Sequence, residues 1–187
     1  MSGVHPRARV VVTGAAGLIG RAVVSRLAVE DHEVVAIHRS GVPCGLENAA
    51  SWLELDLTSS GSGAAIAGLS PDVVVHCAAV LPDTFEGESA REAAAANRRM
   101  DRAVVAAADC RVVYLSSVSV YGFGPDVFAE DGPLKPLGPY AESKLATEQL
   151  VAQSDDHAIL RVSAAYGAAQ TAGTVLRLFV SRAHAGR

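Results

Sequence analysis

The sequence predicts an α/β protein organised as a doubly wound parallel sheet. Short apolar runs alternate with amphipathic or alanine-rich stretches along the 187 residues, as expected when crossover helices link parallel strands. Runs such as Val73-Val74-Val75 lack two-residue alternation, which indicates strands covered on both faces. A glycine-spaced turn at residues 13–20 joins the first apolar run to the first amphipathic stretch. One domain with a sizeable core is expected for this length.

The predicted strands are short and end in polar or glycine-containing sequence. They cover residues 10–12, 33–37, 52–55, 73–75, 111–115 and 158–162. The polar residues 58–63 are predicted to form an ordinary loop. Residues 121–139 contain four glycines and four prolines, and this composition predicts a longer loop over the surface or a site.

Helices are predicted between these strands. Ile19, Val23 and Leu27 recur at four-residue steps after the glycine turn, which predicts a helix packed on the sheet by that stripe. Residues 89–108 are alanine-rich and place Met100 and Val104 on one helical face. The remaining predicted helices cover residues 140–153 and 174–183.

Composition limits the function classes. Half of the residues are apolar, and the formal net charge is −4, so we expect neither disorder nor a basic surface for nucleic acid. No apolar run approaches the ~20 residues of a membrane helix, and the N-terminus lacks a signal-peptide core. Three widely spaced cysteines and six unclustered histidines predict reduced thiols and no metal site. A cytoplasmic protein that binds neither nucleic acid nor a membrane is expected.

The glycine turn is the first candidate binding site. Gly14 permits a tight turn, Gly17 permits close approach of a pyrophosphate, and Gly20 permits the helix to pack on the strand. The positive end of the helix dipole also favours an anionic ligand. The turn therefore predicts a bound dinucleotide, with a plain strand-turn-helix as the structural alternative.

The ends of the next two strands bear on the choice of cofactor. An NAD site normally offers an acidic side chain after the second strand, but His38 and Arg39 occupy that place. A cation there suits a 2′-phosphate, so NADP is preferred over NAD, unless Arg39 lies in solvent or stacks on adenine. Asp56 could accept a hydrogen bond from the adenine amino group or cap the next turn.

A second candidate site combines a phenol, an ammonium and a hydroxyl. Tyr140 and Lys144 are one helical turn apart, so both can point into one cleft. An adjacent ammonium and an oxidised nicotinamide both favour the phenolate. Ser117, at the end of the fifth strand, could hold a reacting oxygen near Tyr140, whereas Ser116 should point to the other side. Alternatively, both serines only satisfy turn backbone groups.

The ordered motifs TGAAGLIG, HCAA, YLSSVSVYG, PYAESK and LRVSAAYG resemble the extended short-chain dehydrogenase/reductases, a family of Rossmann-type NAD(P)-dependent epimerases, dehydratases and reductases. The resemblance implies that Ser117, Tyr140 and Lys144 form the catalytic triad. It also implies that Asn97 is a structural or cofactor-side residue. The other implied cofactor contacts are Gly14, Gly17, Leu18 and Ile19 at the pyrophosphate, Asp56 and Leu57 at the adenine, and Cys77, Ala78 and Ala79 along the cofactor. Gly20 is expected to be a further cofactor-binding residue of the glycine turn.

Three departures from the family pattern qualify the expected function. His38-Arg39 replaces the acidic residue of NAD-using members. Ala164 and Ala168 replace the family's asparagine and proline after the sixth strand, which weakens the case for a sugar nucleotide. The family also has a second, smaller substrate lobe. We expect a dinucleotide-binding domain over residues 1–165 and only the start of that lobe over 166–187, in either a fragment or a natural chain without the lobe.

The expected function is hydride transfer at a hydroxyl or carbonyl carbon, with a nucleotide sugar as the small-molecule substrate of an epimerase, dehydratase or ketoreductase. One alternative is an NADPH-dependent reductase of a small ketone, similar to dihydroflavonol reductases, which Ala164 favours. Another is a dinucleotide-binding module without turnover. The alanine-rich helices 89–108 and 140–153 could pair two copies in a homodimer.

Overall fold

In the part of the chain that the structure describes, six parallel strands form one sheet in the order β3-β2-β1-β4-β5-β6. The computed structural model describes residues 6–39, 41–83, 86–124, 127–167 and 175–185, without the side chains of 175–178. The strands are β1 (Arg9–Thr13), β2 (Glu33–His38), β3 (Ser51–Glu54), β4 (Val73–His76), β5 (Arg111–Ser117) and β6 (His157–Val162). Because all pairings are parallel, the carboxyl ends of the strands meet at one edge. The predicted fold class is confirmed.

Within the described residues, five helices connect or follow the strands. They are α1 (Leu18–Val29), α2 (Ser62–Gly68), α3 (Gly87–Ala107), α4 (Gly138–Val151) and α5 (Val175–His184), and a short 3₁₀ helix covers Val118–Tyr121. The helices predicted over 89–108 and 140–153 are confirmed to within two residues at each end. The last predicted helix is also present, although its predicted first residue, Thr174, lies outside the described residues.

The buried face of α1 differs in part from the predicted stripe. Gly20 and Val24 are the buried residues of this helix, whereas Ile19 is half-buried. Val23 and Leu27 border the core. The predicted stripe is therefore confirmed at Val23 and Leu27, while the most deeply buried face is shifted by about one residue toward Gly20, which contacts the backbone of the glycine turn.

The loop predicted over residues 58–63 was wrong for its last two residues. Ser62 begins α2 and donates a hydrogen bond to the Leu57 carbonyl at 3.0 Å. Ile66, one turn later, is fully buried. A Cβ on Gly63 would lie 3.0 Å from the Ala103 carbonyl oxygen. The short helix thus depends on burial of Ile66 and on close packing against α3. The local glycine and serine content does not indicate this tertiary packing and favours a loop.

The core lies on both faces of the sheet. Val11 packs with Ile66 of α2 and Val104 of α3 on one face, while Val12 packs with Val24 of α1 on the other. Because successive strand residues point to opposite faces, both faces are apolar. The polar strand ends are left at the carboxyl edge of the sheet.

No helix among the described residues is both long and apolar enough to cross a membrane. Within the same residues, no three histidine, cysteine, aspartate or glutamate side chains are grouped closely enough to hold a metal ion.

Candidate dinucleotide and catalytic site

The glycine turn after β1 is packed too closely for side chains at two positions. Gly14 has a φ of +63°, and a Cβ there would lie 2.6 Å from the Ala78 Cα. A Cβ on Gly20 would collide with the carbonyl oxygen of Gly14. Glycine at these positions lets the turn contact both the segment after β4 and the start of α1.

The start of α1 presents free backbone donors. Gly17 is the N-cap, with extended backbone and no side-chain cap. The first hydrogen bond of the helix runs from Arg21 N to Gly17 O at 3.0 Å. The N–H groups of Leu18, Ile19 and Gly20 therefore have no carbonyl partner within the helix. Such donors at a helix N-terminus can bind a phosphate group.

Two basic residues follow one another at the end of β2. His38 is buried and packs edge-on to Trp52, with a distance of 5.8 Å between ring centroids. Its Nδ1 is buried and has no hydrogen-bond partner among the described residues. Arg39 is exposed. The next residue, Ser40, lies outside the described residues.

Asp56 and Leu57 follow β3 and face different surroundings. Asp56 is exposed, and its Oδ1 accepts hydrogen bonds from Thr58 N at 2.9 Å and Thr58 Oγ1 at 2.8 Å. These bonds, first that of the backbone N–H, lower the pKa of Asp56. The capping role left open by the sequence is therefore present. Leu57 places its side chain in the core, so only its backbone is available to an adenine ring.

The segment after β4 runs beside the glycine turn. Cys77 N donates to Thr13 O at 3.3 Å. Burial raises the pKa of the Cys77 thiol to about 12, while the charge of nearby Lys144 acts in the opposite direction. Ala78 is half-buried and Ala79 is exposed. The thiol is therefore protonated at neutral pH, and this segment presents small uncharged groups.

Asn97 on α3 fixes this same segment. Its side chain is fully buried, accepts from Val80 N at 2.7 Å and donates to Val80 O at 2.9 Å. Both polar ends of the amide are thus bonded to one backbone residue, and Asn97 has a structural role in this chain.

Tyr140 and Lys144 lie on one face of α4. Lys144 is 2% exposed, and its Nζ donates to the Leu115 carbonyl at 2.9 Å. This Nζ lies 6.0 Å from the centroid of the Tyr140 ring. Burial lowers the pKa of Lys144. Burial, together with the charge of Asp101, raises the pKa of Tyr140. The predicted stabilisation of the phenolate is therefore not present in the chain alone.

The adjacent serines at the end of β5 make separate contacts, as the strand pleat predicts. Ser116 donates to Glu148 Oε1 at 2.5 Å. Ser117 Oγ accepts from Ser119 N at 3.2 Å and from Ser119 Oγ at 2.9 Å. It therefore caps the short 3₁₀ helix, which is the structural role considered from the sequence, and its own O–H stays available as a donor.

A cleft of about 520 Å³ lies beside the start of α1. Leu18 and Ile19 line one side, and Tyr166 and Gly167 line another. The segment after β6 thus approaches the glycine turn. Ala164 is exposed, and Ala168 lies outside the described residues.

Sequence reasoning missed a buried polar cluster centred on Asp101 of α3. Asp101 Oδ1 lies 3.0 Å from His76 Nε2, and Oδ2 accepts from Tyr114 OH at 3.0 Å and Thr147 Oγ1 at 2.7 Å. A signal was present, because Asp101 lies four residues after Asn97 and three before Val104, on the buried face of the helix. A charged residue at such a position indicates a buried partner.

A second missed cluster joins β6 to α4. Arg161 forms a two-pronged ion pair with Glu148, with Nε–Oε1 and Nη2–Oε2 distances of 3.1 and 2.8 Å. Its Nη1 also donates to Tyr121 OH and to the Glu130 carbonyl, both at 2.8 Å. The Glu148 hydrogen bonds raise the pKa of Arg161. Arg161 thus holds the loop before α4 against the sheet.

Known proteins of one family are similar to this chain. The model of the NAD dependent epimerase/dehydratase family matches residues 10–187. Methionine adenosyltransferase 2 subunit beta of Xenopus laevis is 31% identical over 169 residues, which cover 87% of this chain and 48% of that protein. UDP-glucose 4-epimerase of Mycolicibacterium smegmatis is 33% identical over 153 residues, which cover 75% of this chain and 49% of that protein.

A solved structure is also similar to this chain. The Bordetella bronchiseptica enzyme WbmG in complex with NAD and UDP has a TM-score of 0.81 at 26% identity, over 97% of this chain and 61% of that chain. The chain spans about half the length of the curated relatives it matches. Since the family match extends over nearly all of the sequence and includes the glycine turn and α4, the chain belongs to the NAD-dependent epimerase/dehydratase family.

Proposed function

We propose that the chain is the dinucleotide-binding part of an NAD(P)-dependent enzyme that transfers hydride at a hydroxyl or carbonyl carbon of a nucleotide sugar. The observation that carries the proposal is that Lys144 lies beside Tyr140, with 6.0 Å between its Nζ and the centroid of the Tyr140 ring, and close to the segment after β4. The charge of Lys144 acts on Cys77, and Cys77 adjoins Ala78, which contacts Gly14. An ammonium with a phenol beside it therefore lies near the segment that borders the candidate phosphate site.

The residues present fit a nicotinamide dinucleotide. Leu18 and Ile19 offer backbone donors to a pyrophosphate, and a Cβ on Gly17 would lie 3.2 Å from the Gly14 carbonyl and crowd the turn. Among the described residues, the buried Nδ1 of His38 has no hydrogen-bond partner. Because such an atom costs about 1–3 kcal/mol, Nδ1 is the proposed partner of a hydroxyl of the adenosine ribose. When bound, the dinucleotide supplies the hydride donor or acceptor.

Tyr140 is the proposed proton-transfer group. Because burial raises its pKa, Tyr140 is a neutral phenol in the unliganded chain and can donate a proton. It becomes a proton acceptor where an added positive charge stabilises the phenolate. Lys144, held by the Leu115 carbonyl, would bind the nicotinamide ribose. The O–H of Ser117 would orient the substrate oxygen.

The nucleotide-sugar substrate is supported by relatives, among them a UDP-glucose 4-epimerase and an enzyme crystallised with NAD and UDP. Exposed Ala164 favours a small ketone, because an alanine offers no side-chain hydrogen bond to a sugar nucleotide. Product analysis after incubation with UDP-glucose or with a simple ketone and NADPH distinguishes the two substrate classes.

Replacing Tyr140 with Phe tests the mechanism. The variant keeps the buried ring but lacks the hydroxyl, so we expect turnover to fall by about 10²–10⁴-fold, the usual contribution of general acid-base catalysis. NADH affinity, measured by fluorescence titration, should be retained. Glu142→Gln, at an exposed position of the same helix, is the matched control. Full turnover by Tyr140→Phe would contradict the role given to this residue.

A dinucleotide-binding module without turnover is the second candidate. It is favoured by the similarity to a relative whose name describes it as the beta subunit of a methionine adenosyltransferase. In this case the purified chain would bind NADH or NADPH and convert none of the substrates above.

For the cofactor, we propose a preference for NADP. The support is the exposed cation of Arg39 at the end of β2, where it can pair with a 2′-phosphate. The relatives crystallised with NAD make NAD the alternative.

A further inference from the structure

A continuous chain of hydrogen bonds leads from the glycine turn to Asp101. Ala78 N donates to Thr13 Oγ1 at 3.3 Å, Thr13 Oγ1 lies 2.6 Å from His76 Nδ1, and His76 Nε2 lies 3.0 Å from Asp101 Oδ1. Every polar atom is satisfied when Thr13 donates to Nδ1 and Nε2 carries the hydrogen. In this arrangement the Nε2–H of His76 donates to Asp101 Oδ1 and orients the carboxylate.

The buried charged side chains of the described residues allow only one assignment of opposite charges. Asp101 and Glu148 are buried carboxylates, and Lys144 is the buried ammonium. Glu148 is occupied by its two-pronged pairing with Arg161. Lys144 itself hydrogen-bonds to a neutral carbonyl. Because an isolated buried ammonium is costly, Asp101 is the carboxylate left to balance it.

Tyr114 and α4 bring these two charges together. Tyr114 OH donates to Asp101 Oδ2 at 3.0 Å, and Lys144 Nζ lies 4.8 Å from the centroid of the same ring. Thr147, three residues after Lys144 on α4, donates to Asp101 Oδ2 at 2.7 Å. Asp101 therefore contacts the helix of Lys144 and the ring on which its ammonium rests.

We infer that Asp101 is a positioning residue that supplies the counter-charge of Lys144 and fixes α4 relative to the glycine turn. The inference rests on the role proposed for Lys144. Burial lowers the pKa of Lys144, and the negative charge of Asp101 is the largest effect that raises it. Burial acts to raise the pKa of Asp101, but His76, Lys144 and Thr147 hold it below its ordinary value. The titratable groups that face Lys144 are Cys77 after β4, Asp101 on α3, Tyr114 on β5, and Tyr140 and Glu148 on α4.

The sequence offers a direct test, because Lys135 and Lys144 are its only lysines. NMR of the chain carrying ¹³C-labelled lysine then gives two side-chain signals, and exposed Lys135 is an internal reference. In Asp101→Asn we expect the Lys144 signal to titrate at lower pH than in the wild type, with about a tenfold change in its ionisation equilibrium. The Lys135 signal should not move.

Thr147→Val is the matched control, since it removes a hydrogen bond to Asp101 but keeps the charge. Its Lys144 signal should titrate as in the wild type. An unchanged Lys144 titration in Asp101→Asn, or an equal shift in Thr147→Val, would overturn the inference. This measurement does not require turnover. A result that contradicts the role of Asp101 is therefore distinguishable from one that contradicts the proposed function, which would be retained activity in Tyr140→Phe.

Stability provides a second measurement if Asp101→Asn folds poorly. If Asp101 balances Lys144, the variant Asp101→Asn leaves a buried ammonium without a counter-charge. Adding Lys144→Met removes that ammonium, so the double variant Asp101→Asn/Lys144→Met should have a higher melting temperature than Asp101→Asn alone. A double variant no more stable than Asp101→Asn would contradict the pairing.

Discussion

Arg39 is the residue on which the cofactor preference depends. Its side chain is exposed after β2, where an exposed guanidinium can form charge-assisted hydrogen bonds with a 2′-phosphate. We expect Arg39→Ala to weaken NADPH binding by about tenfold, near the lower end of the contribution of a charged hydrogen bond. NADH binding should change little. Fluorescence titration with both nucleotides measures the difference.

The control for this prediction is Arg26→Ala, because Arg26 is also an exposed arginine and pairs with Glu30 on α1. It should alter neither affinity. Tighter binding of NADH than of NADPH by the wild-type chain would remove the proposed role of Arg39.

Cys77 and Cys44 should differ in reactivity. Burial raises the pKa of Cys77 to about 12, whereas Cys44 is exposed. Since the thiolate is the reactive form, iodoacetamide at mildly alkaline pH should modify exposed Cys44 and leave Cys77 intact. Mass spectrometry of the digested chain measures this, and rapid modification of Cys77 in the folded chain would contradict the prediction.

Residue types at strand ends were predictable, but their partners were not. The sequence left two roles open for Asp56, and only the folded chain shows that Thr58 satisfies its carboxylate. Asn97 could be placed on a helix, yet its bonds to Val80 depend on how α3 crosses the segment after β4. Asp101 was missed because its partners come from three other elements, and no local pattern joins them.

At the scale of elements, Arg161 connects β6, α4 and the loop before α4. Arg161→Met would leave Glu148 buried without its cation, and removal of one partner of a buried pair costs about 3–5 kcal/mol. Because the Arg161 side chain is 19% exposed, we expect the lower end, about 3 kcal/mol. Urea unfolding followed by circular dichroism measures the loss.

Arg111→Met is the matched control, because Arg111 also lies on a strand and forms an ion pair, in this case with Asp156. The side chains of Arg111 and Asp156 are about half exposed or more. Exposed pairs contribute less than about 1 kcal/mol. Equal losses in the two variants would show that burial of Glu148 does not determine the contribution.

The elements themselves were largely predictable. Valine runs predicted four of the strands, β1, β2, β4 and β5, because strands covered on both faces need apolar residues throughout. The strands β3 and β6 were predicted from short apolar stretches that contain tryptophan, isoleucine or leucine. The exceptions have tertiary causes. The rotation of α1 depends on a backbone contact of Gly20, and α2 is a short helix held by Ser62 and Ile66.

At the scale of the whole molecule, pairing of two copies through α3 and α4 stays a prediction. The two helices form an outer groove of about 220 Å³, lined in part by Arg98, Arg102 and Ala146. If two chains pair there, Ala146→Glu places a bulky charge in the contact, and the variant should sediment as a monomer. Ala106→Glu makes the same change at an exposed position of α3 outside the groove and should leave the association state unchanged. A wild-type chain that sediments as a monomer would refute the pairing.

The position of β1 in the sheet has a consequence for folding kinetics. Val10 lies opposite Val34 on one side and Val73 on the other, so the central strand gains its second neighbour only after a long segment has closed into a loop. Such non-local pairing slows the search for the native topology. We therefore expect the chain to refold more slowly than a helical bundle of equal length, and an emerging polypeptide to keep β1 exposed on one side until β4 has been synthesised.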